Sequence, residues 1–312
     1  MPAKIKKISK QLTIICPVYN EESVVEPFFN RIYPVIQKIK NVYNVNLLFI
    51  NNASTDNTLE AIEKLHRKYK FIYFITLTTN VGYQRSLECG LNQAKGDVIC
   101  FIDVDCEDPP EMILDFLVFY KNGYDLIYGI RTDREENKIV KKARNLFYHI
   151  LKGVADEEVI LFMAEFSLMS DEVRNAVIQH KSSFPFIRSY ISRVGFRRVG
   201  IEYKRQKRIG GKTHYNFWGM TIFAVAGILA SSTLPLRLPI YLFPFWFLVS
   251  LVLVFYQFNS GNLIFLYVNL MLFFLYFGLT LSFIALYVGR GYKNTLSYPN
   301  YFIHKKLSFL QN

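Results

Sequence analysis

Charge is absent from one long stretch of this 312-residue chain: between Leu238 and Gly289 there is no Asp, Glu, Lys or Arg. Such a gap argues against a wholly water-soluble protein, because two buried core helices of that length without charge are rare. Cysteine is scarce. Cys16, Cys89, Cys100 and Cys106 form no C-x-x-C pair, and three lie in or beside apolar runs. That spacing excludes a zinc framework and a disulfide scaffold and suits reduced core residues in a reducing compartment. The basic stretch Met1 to Lys10 leads into no apolar signal-peptide core, so the soluble part is expected to stay in the cytoplasm. Acidic residues are also in short supply, 25 against 37 Lys and Arg, for a net charge of +12. A basic surface suits nucleic acid, anionic lipid headgroups or phosphate-bearing substrates. With an apolar segment in the same chain, nucleic acid drops out as the expected partner. No internal repeat or low-complexity tract is visible.

What is present divides into two regions. The first half alternates strand and helix signals. Strands are expected at Leu12–Pro17, Asn46–Ile50, Phe71–Leu77, Val98–Ile102 and Asp125–Tyr128. Helices are expected at Glu21–Lys40, Thr58–Lys70, Gln84–Ala94 and Pro110–Asn122. Strands alternating with helices of this length imply right-handed βαβ units and an α/β fold with a mainly parallel, Rossmann-like sheet. Ligands of such sheets sit at the carboxyl ends of strands. Polar clusters fall there: Tyr19–Glu22, Asn51–Asp56, Asn80–Gly82 and Asp103–Asp108.

The second region is apolar. Tyr215 to Ser232 carries no Asp, Glu, Lys or Arg and reads as a helix lying in a membrane interface. Pro239–Phe258 and Leu263–Val288 are each long enough to span a bilayer, which needs ~20 apolar residues. The expected division is a cytoplasmic domain over 1–214, an interfacial segment over 215–236, two transmembrane helices over 237–289 and a cytoplasmic tail over 290–312. Arg197, Arg198, Arg205, Lys207, Arg208, Lys212 and Arg237 precede the spans, and Arg290, Lys293, Lys305 and Lys306 follow them; the turn between has no Lys or Arg. The positive-inside rule puts both ends in the cytoplasm of a multi-pass inner-membrane protein.

The chemistry is concentrated at Phe101-Ile102-Asp103-Val104-Asp105-Cys106-Glu107-Asp108-Pro109-Pro110-Glu111. An apolar strand delivers two carboxylates, one residue apart, into a turn. Uncompensated, they repel each other and call for a cation. A hard divalent ion, Mg²⁺ or Mn²⁺, shared with a diphosphate meets that need with oxygen ligands.

These motifs, with others in order along the chain, resemble family 2 glycosyltransferases, in particular the polyprenyl-phosphate sugar transferases related to dolichol-phosphate mannose synthase and bactoprenol glucosyltransferase. The series runs Pro17-Val18-Tyr19-Asn20-Glu21-Glu22, Asn51-Asn52-Ala53-Ser54-Thr55-Asp56-Asn57-Thr58, Asn80-Val81-Gly82 and Ala94-Lys95-Gly96-Asp97. It continues with Arg131 and Arg134, Glu165-Phe166-Ser167-Leu168-Met169, and Arg205 to Tyr215 with Arg208, Lys212 and His214. The segment Tyr287 to Phe302 resembles the family's tail. The likeness covers nearly the whole chain.

The resemblance implies a GT-A fold and a single inverting displacement, moving glucose or a related hexose from a UDP-linked donor to polyprenyl phosphate. GDP-mannose, a UDP-N-acetylhexosamine donor or another membrane acceptor are the alternatives. Asp105 would be the principal metal ligand, with Asp103 on the nucleotide ribose or the metal. Pro17, Tyr19 and Glu21 would line the base and ribose pocket, joined on the nucleotide-sugar by Asn52, Asp56, Asn80 and Arg131. Arg134, Arg205, Lys212 and His214 are candidates for the lipid phosphate, and Arg208 for the leaving diphosphate. Glu165 stands where relatives carry an Asp proposed as base; it reads equally as a partner for a nearby Arg. Tyr19-Asn20-Glu21-Glu22 also reads as a plain helix N-cap, Asn80 and Gly82 as turn residues, and the arginines as a solvated face attracted to anionic lipid.

Asn52 replaces the usual Asp, Ala53 a Gly, Glu165 an Asp, Ser167 an Arg and His214 a Lys. An Asn can still accept a hydrogen bond but loses the charge. Processive relatives carry a Gln-x-x-Arg-Trp motif that is absent here. Relatives form tetramers in some cases, and the aromatic tail from Tyr292 to Phe309 is the candidate surface for a homo-tetramer. A non-catalytic scaffold has no reason to keep Asp103, Asp105 and Arg208.

Overall fold

The computed structural model describes residues 10–133, 160, 163–210, 225, 227–229 and 232–310. Four parallel strands form the first half of the sheet or lead into it: β1 (Lys10–Val18), β2 (Tyr43–Asn51), β3 (Ile72–Thr76) and β4 (Val98–Phe101). They alternate with α1 (Val25–Ile39), α2 (Thr58–Lys68) and α3 (Tyr83–Gln93), and α4 (Met112–Lys121) follows. The second half comprises β5 (Leu126–Asp133), β6 (Met163–Ser170), α5 (Asp171–Ile178), α6 (Ile187–Arg193) and β7 (Arg198–Lys204). The seven strands are ordered β3-β2-β1-β4-β6-β5-β7. All pairings are parallel except those of β6, which runs antiparallel to both β4 and β5.

Both faces of this sheet are covered, which is why β1 and β2 carry unbroken apolar runs, Ile14–Val18 and Leu47–Ile50, rather than alternating. On one face Leu12, Ile14 and Cys16 pack with Phe28 and Ile32 of α1 and Phe116 of α4. On the other, Ile15, Leu48 and Ile50 pack with Leu87 of α3, Val173 of α5 and Tyr190 of α6. The apolar stripe of α1, Phe28, Phe29, Ile32, Val35, Ile36 and Ile39, repeats at three- and four-residue intervals and is wholly buried. Helix α3 lies so close to the sheet that a Cβ on Gly90 would fall 2.5 Å from Ile15 Cγ2; only glycine permits that approach. All four cysteines are free and buried, and burial holds their thiols well up the scale, Cys89 and Cys106 at about 12.

Two long apolar helices follow, α7 (Leu234–Ser260) and α8 (Leu263–Leu296). Both qualify by length and composition as candidate membrane spans, with mean hydropathies of 2.3 and 2.1. The first begins five residues before the expected Pro239, because Pro235 sits in its opening turn, where a missing N–H costs nothing. Leu234–Leu236, assigned by sequence to the interfacial segment, therefore belong to this helix; most of that segment lies outside the described residues. The second runs beyond Val288 until Ser297 adopts φ +50°. At 1.5 Å per residue it is ~50 Å long, and its last turn meets the sheet domain, where Asn294 and Lys293 accept from Ser183. Gly261 at φ +63° closes the turn, and Ser250 Oγ donates to Asn269 Oδ1 at 2.9 Å between the helices.

After α8 the chain returns to the sheet. Phe309 pairs with Phe74, and Ile303 with Leu77, in antiparallel bridges along the β3 edge. Phe309 N donates to Phe74 O and His304 N to Thr76 O, both at 2.8 Å. An edge strand that would otherwise offer open backbone groups is thus capped by the chain's own tail.

Candidate active site

The loops leaving β1, β2 and β4 meet at one rim, and hydrogen bonds lace the first two together. Asn20 N donates to Ser54 Oγ at 3.0 Å, and Asn20 Oδ1 accepts from Thr55 N at 2.8 Å. Glu21 N donates to Thr58 Oγ1 at 2.8 Å, Glu22 N to Asp56 Oδ2 at 3.2 Å, and Asn57 N to Glu22 Oε2 at 3.0 Å. Asp56 also accepts from Thr58 N at 3.0 Å, at the start of α2. Three non-glycine residues here hold left-handed backbones: Asn20 at φ +52°, Ala53 at +56° and Cys106 at +54°. Strain of this kind survives where neighbouring contacts over-determine the loop, as around functional sites. Pro17 is buried at the end of β1 and Tyr19 is half-buried beyond it.

Asn52 is buried, and its amide is committed on both sides: Nδ2 donates to Asn80 Oδ1 and Oδ1 accepts from Val81 N, each at 2.9 Å. Asn80 Oδ1 also accepts from Gly82 N at 3.0 Å. Asn52 and Asn80 thereby fasten the loop that opens α3.

The carboxylates beyond β4 each have a partner within the protein. Tyr83, the first residue of α3, donates its hydroxyl to Asp103 Oδ1 at 2.7 Å. Arg208 reaches Asp105 Oδ2 at 3.3 Å and forms a second ion pair with Glu21. Asp108, 1% exposed, is gripped by Arg131 at 2.7 Å and accepts from Tyr203 of β7. Arg205 pairs with Glu107. The segment carrying Arg205 and Arg208 lies across the turn, with Gln206 N on Glu107 O at 2.8 Å and Ile209 N on Asp105 O at 3.1 Å.

Burial, Asp108 and Asp105 push the Asp103 carboxyl up to about 7 despite the Tyr83 hydrogen bond. Asp105 is also raised by burial, which outweighs Arg208. In geometry, Glu21 and Asp105 share the one guanidinium of Arg208, and Asp103 is held by a tyrosine hydroxyl. Among the described residues no three His, Cys, Asp or Glu side chains converge as a self-sufficient metal site.

Glu165 enters from the antiparallel strand β6, two residues beyond the pairing of Phe101 with Ser167. It is buried and ion-paired with Arg188 of α6. Gln84 Nε2 reaches its other oxygen at 3.4 Å. Burial alone would raise its carboxyl, but Arg188 and Arg131 overcome this and hold it below the usual glutamate range. Of the two sequence readings of Glu165, the structure displays the arginine partner.

The structure thus brings Asp103, Asp105, Glu21, Arg131, Arg205 and Arg208 into one electrostatic cluster. Arg134, Lys212 and His214 lie outside the described residues. Sequence reasoning missed Tyr83, Gln84, Arg188 and Tyr203, and gave Asp108, named within the acidic motif, no role of its own. Of the missed residues, Tyr83 had a local signal, being next to the Asn80-Val81-Gly82 motif.

Comparison with known proteins agrees with this architecture. The family described as glycosyl transferase family 2 matches residues 13–224. The chain is 31% identical over 304 residues to the uncharacterized glycosyltransferase YkcC of Bacillus subtilis (strain 168), covering 95% of this chain and 94% of that protein. It is 28% identical over 311 residues to the prophage bactoprenol glucosyl transferase homolog of Escherichia coli (strain K12), covering 95% and 99%. In fold it is similar to glucosyl-3-phosphoglycerate synthase from Mycobacterium tuberculosis, solved with Mn²⁺, UDP and phosphoglyceric acid, at TM-score 0.51 and 16% identity over 71% of this chain and 78% of that one. It is likewise similar to a mannosyltransferase from Pyrobaculum calidifontis, solved with GDP-Man and Mn²⁺, at TM-score 0.50 and 16% identity over 72% and 64%. The sheet is that of GT-A transferases. Because the matched segment takes in every strand-end loop of the rim, from Tyr19 to the arginines after β7, the chain belongs to glycosyl transferase family 2 and is a glycosyltransferase.

Proposed function

We propose that the protein transfers a hexose, glucose by first assignment, from a UDP-linked donor to polyprenyl phosphate, with inversion, at the cytoplasmic face of the membrane. The observation that carries this reading is the rim at the end of β4: Asp103 and Asp105 surrounded by arginines, in a chain that continues into two apolar helices. The relatives named bactoprenol glucosyl transferase, matched along nearly their full length, support this choice of acceptor and sugar.

The acceptor is a phosphate monoester, ionised at neutral pH, so it needs no strong base. Its oxygen forms the new bond to C1 of the sugar as the bond from C1 to the diphosphate breaks, and the nucleoside diphosphate leaves with the electron pair. A Glu165 held ionised by Arg188 and Arg131 suits such a reaction, positioning rather than accepting a proton. Arg208, shared between Glu21 and Asp105, is placed to turn toward a departing diphosphate. Tyr19 offers a ring face for the base, with Pro17, Glu21, Asn52, Asp56, Asn80 and Arg131 around the nucleotide-sugar. Arg205, Arg134, Lys212 and His214 are assigned to the lipid phosphate.

Asp103, held by a tyrosine hydroxyl, and Asp105, which shares Arg208 with Glu21, fit as oxygen ligands of a divalent cation, Mg²⁺ or Mn²⁺, completed by donor diphosphate oxygens. When bound, the ion would neutralise charge building on the leaving diphosphate. Lys and Arg flank the helices at Arg237, Arg290, Lys293, Lys305 and Lys306, while the turn around Gly261 has neither; both ends are therefore assigned to the cytoplasm.

Full-length protein in vesicles containing undecaprenyl phosphate and Mn²⁺, given UDP-[¹⁴C]glucose, should release UDP and yield label in the lipid extract. Asp105→Asn should lower kcat by about 10²–10³-fold. Asn52, committed to Asn80 and Val81 where relatives carry an Asp, is the specific reason to run GDP-mannose and UDP-N-acetylglucosamine in parallel. Product from one of those alone would change the donor. Absence of lipid product from all three would end the acceptor assignment.

A further inference from the structure

Arg188 is not part of any motif singled out in the sequence, yet it forms the ion pair with Glu165. It lies in the first turn of α6, directly after a short strap, Ser182 to Ile187, that is fastened at both ends. On the site side, Gln84 Oε1 accepts from Ile187 N at 2.9 Å while Gln84 Nε2 reaches Glu165 Oε1 at 3.4 Å. One side chain of α3 thus holds both the carboxylate and the start of the helix bearing its cation. Arg85 Nη2, next along α3, donates to Ser183 O at 2.9 Å.

On the membrane side, the strap grips the last turns of α8. Ser183 N donates to Asn294 Oδ1 and Ser183 Oγ to Lys293 O, each at 2.9 Å. The Phe184 ring lies beneath the Arg290 guanidinium at 4.7 Å and the Lys293 ammonium at 5.4 Å. Asn300 Nδ2 adds a bond to Ser182 O at 2.7 Å and another to Glu88 Oε2 of α3 at 2.8 Å. The path from candidate membrane span to carboxylate is therefore continuous: α8, Ser183, α6, Arg188, Glu165.

We propose that Arg188 is a positioning residue that fixes Glu165 on the acceptor side of the site, and that α8 sets where Arg188 stands through Asn294 and Ser183. The apolar hairpin is then part of the scaffold of the active site as well as its anchor. An ion pair with no such task would be a poor choice at this depth, because burying two charges costs about as much as their attraction returns. The proposal rests on the transfer reading above for what Glu165 faces.

The test uses full-length protein in vesicles with undecaprenyl phosphate and UDP-glucose. Arg188→Gln should lower kcat by roughly tenfold or more, as for loss of a group that orients another, with the donor KM changed by less than about twofold. Arg188→Lys should recover most of the rate, and Asn294→Ala should reproduce the pattern more weakly. A kcat for Arg188→Gln within about twofold of the parent, or a donor KM rising in step with the loss, overturns the proposal. A second measurement needs no substrate. Melting temperatures of the parent, Arg188→Gln, Glu165→Gln and the double variant should be non-additive, and the non-additivity should shrink in an Asn294→Ala background. Additivity in both backgrounds overturns the proposal even if the parent proves to use another donor or acceptor. Coupling in the absence of any transfer would instead sink only the transfer reading.

Discussion

Phenylalanine behaves in opposite ways in the two regions of this molecule. In the sheet domain Phe28, Phe49 and Phe116 are 0% exposed, interleaved between strands and helices. In the hairpin Phe245 is 70% and Phe258 82% exposed, and most large apolar side chains of α7 and α8 point outward with them. On the membrane reading proposed above, the same residue type answers to two solvents. Water drives the domain's rings inward, at about 25 cal/mol per Å² of apolar area removed from it. An outward apolar surface on both helices matches a hydrocarbon surrounding, where association rests on a few polar ties such as Ser250 with Asn269.

Core truncation should separate the regions most sharply. Phe49→Ala should cost about 3–5 kcal/mol of domain stability, whereas Phe245→Ala should cost less than about 0.5 kcal/mol, both read from thermal melts in detergent. Similar costs would erase the contrast. Charge probes it from the other side. Leu248→Arg, on the exposed face of α7, should impose roughly 2.5–3.5 kcal/mol on insertion, visible as protein lost from the membrane fraction. Glu60→Arg on the wet face of α2 should change stability by no more than about 0.5 kcal/mol. The finest test is conformational. The hairpin's turn takes its positive φ at Gly261, while the domain places Ala53 at φ +56°. Ala53→Gly should therefore stabilise the domain by up to ~1 kcal/mol, seen as a rise in Tm, because glycine carries no left-handed penalty.

Much of the first half was legible because each element advertises itself. β1 and β2 are apolar runs ending at polar loops, α1 carries a helical stripe, and the strand-end clusters fall where a parallel sheet puts its ligands. The hairpin was legible from its missing charge. β6 was not. Its sequence Met163–Ser170 is wholly buried, without alternation, and its antiparallel place beside β4 depends on a partner far along the chain. The tail on the β3 edge escaped notice for the same reason: Phe309 and Phe74 meet only after the chain has left the domain and returned.

The order of strands and helices as far as β5, the acidic turn after β4, the supply of arginines and the apolar pair of helices were all determined by the sequence itself, through local periodicity and composition. Which cation meets which carboxylate was decided only by the tertiary structure. Arg208 finds Glu21 across 187 positions, Arg131 finds Asp108, and Arg188 finds Glu165 where Gln84 ties that carboxylate to Ile187 at the start of α6. Coulomb attraction depends on distance in space and on the water excluded between charges, and neither quantity is written along the chain.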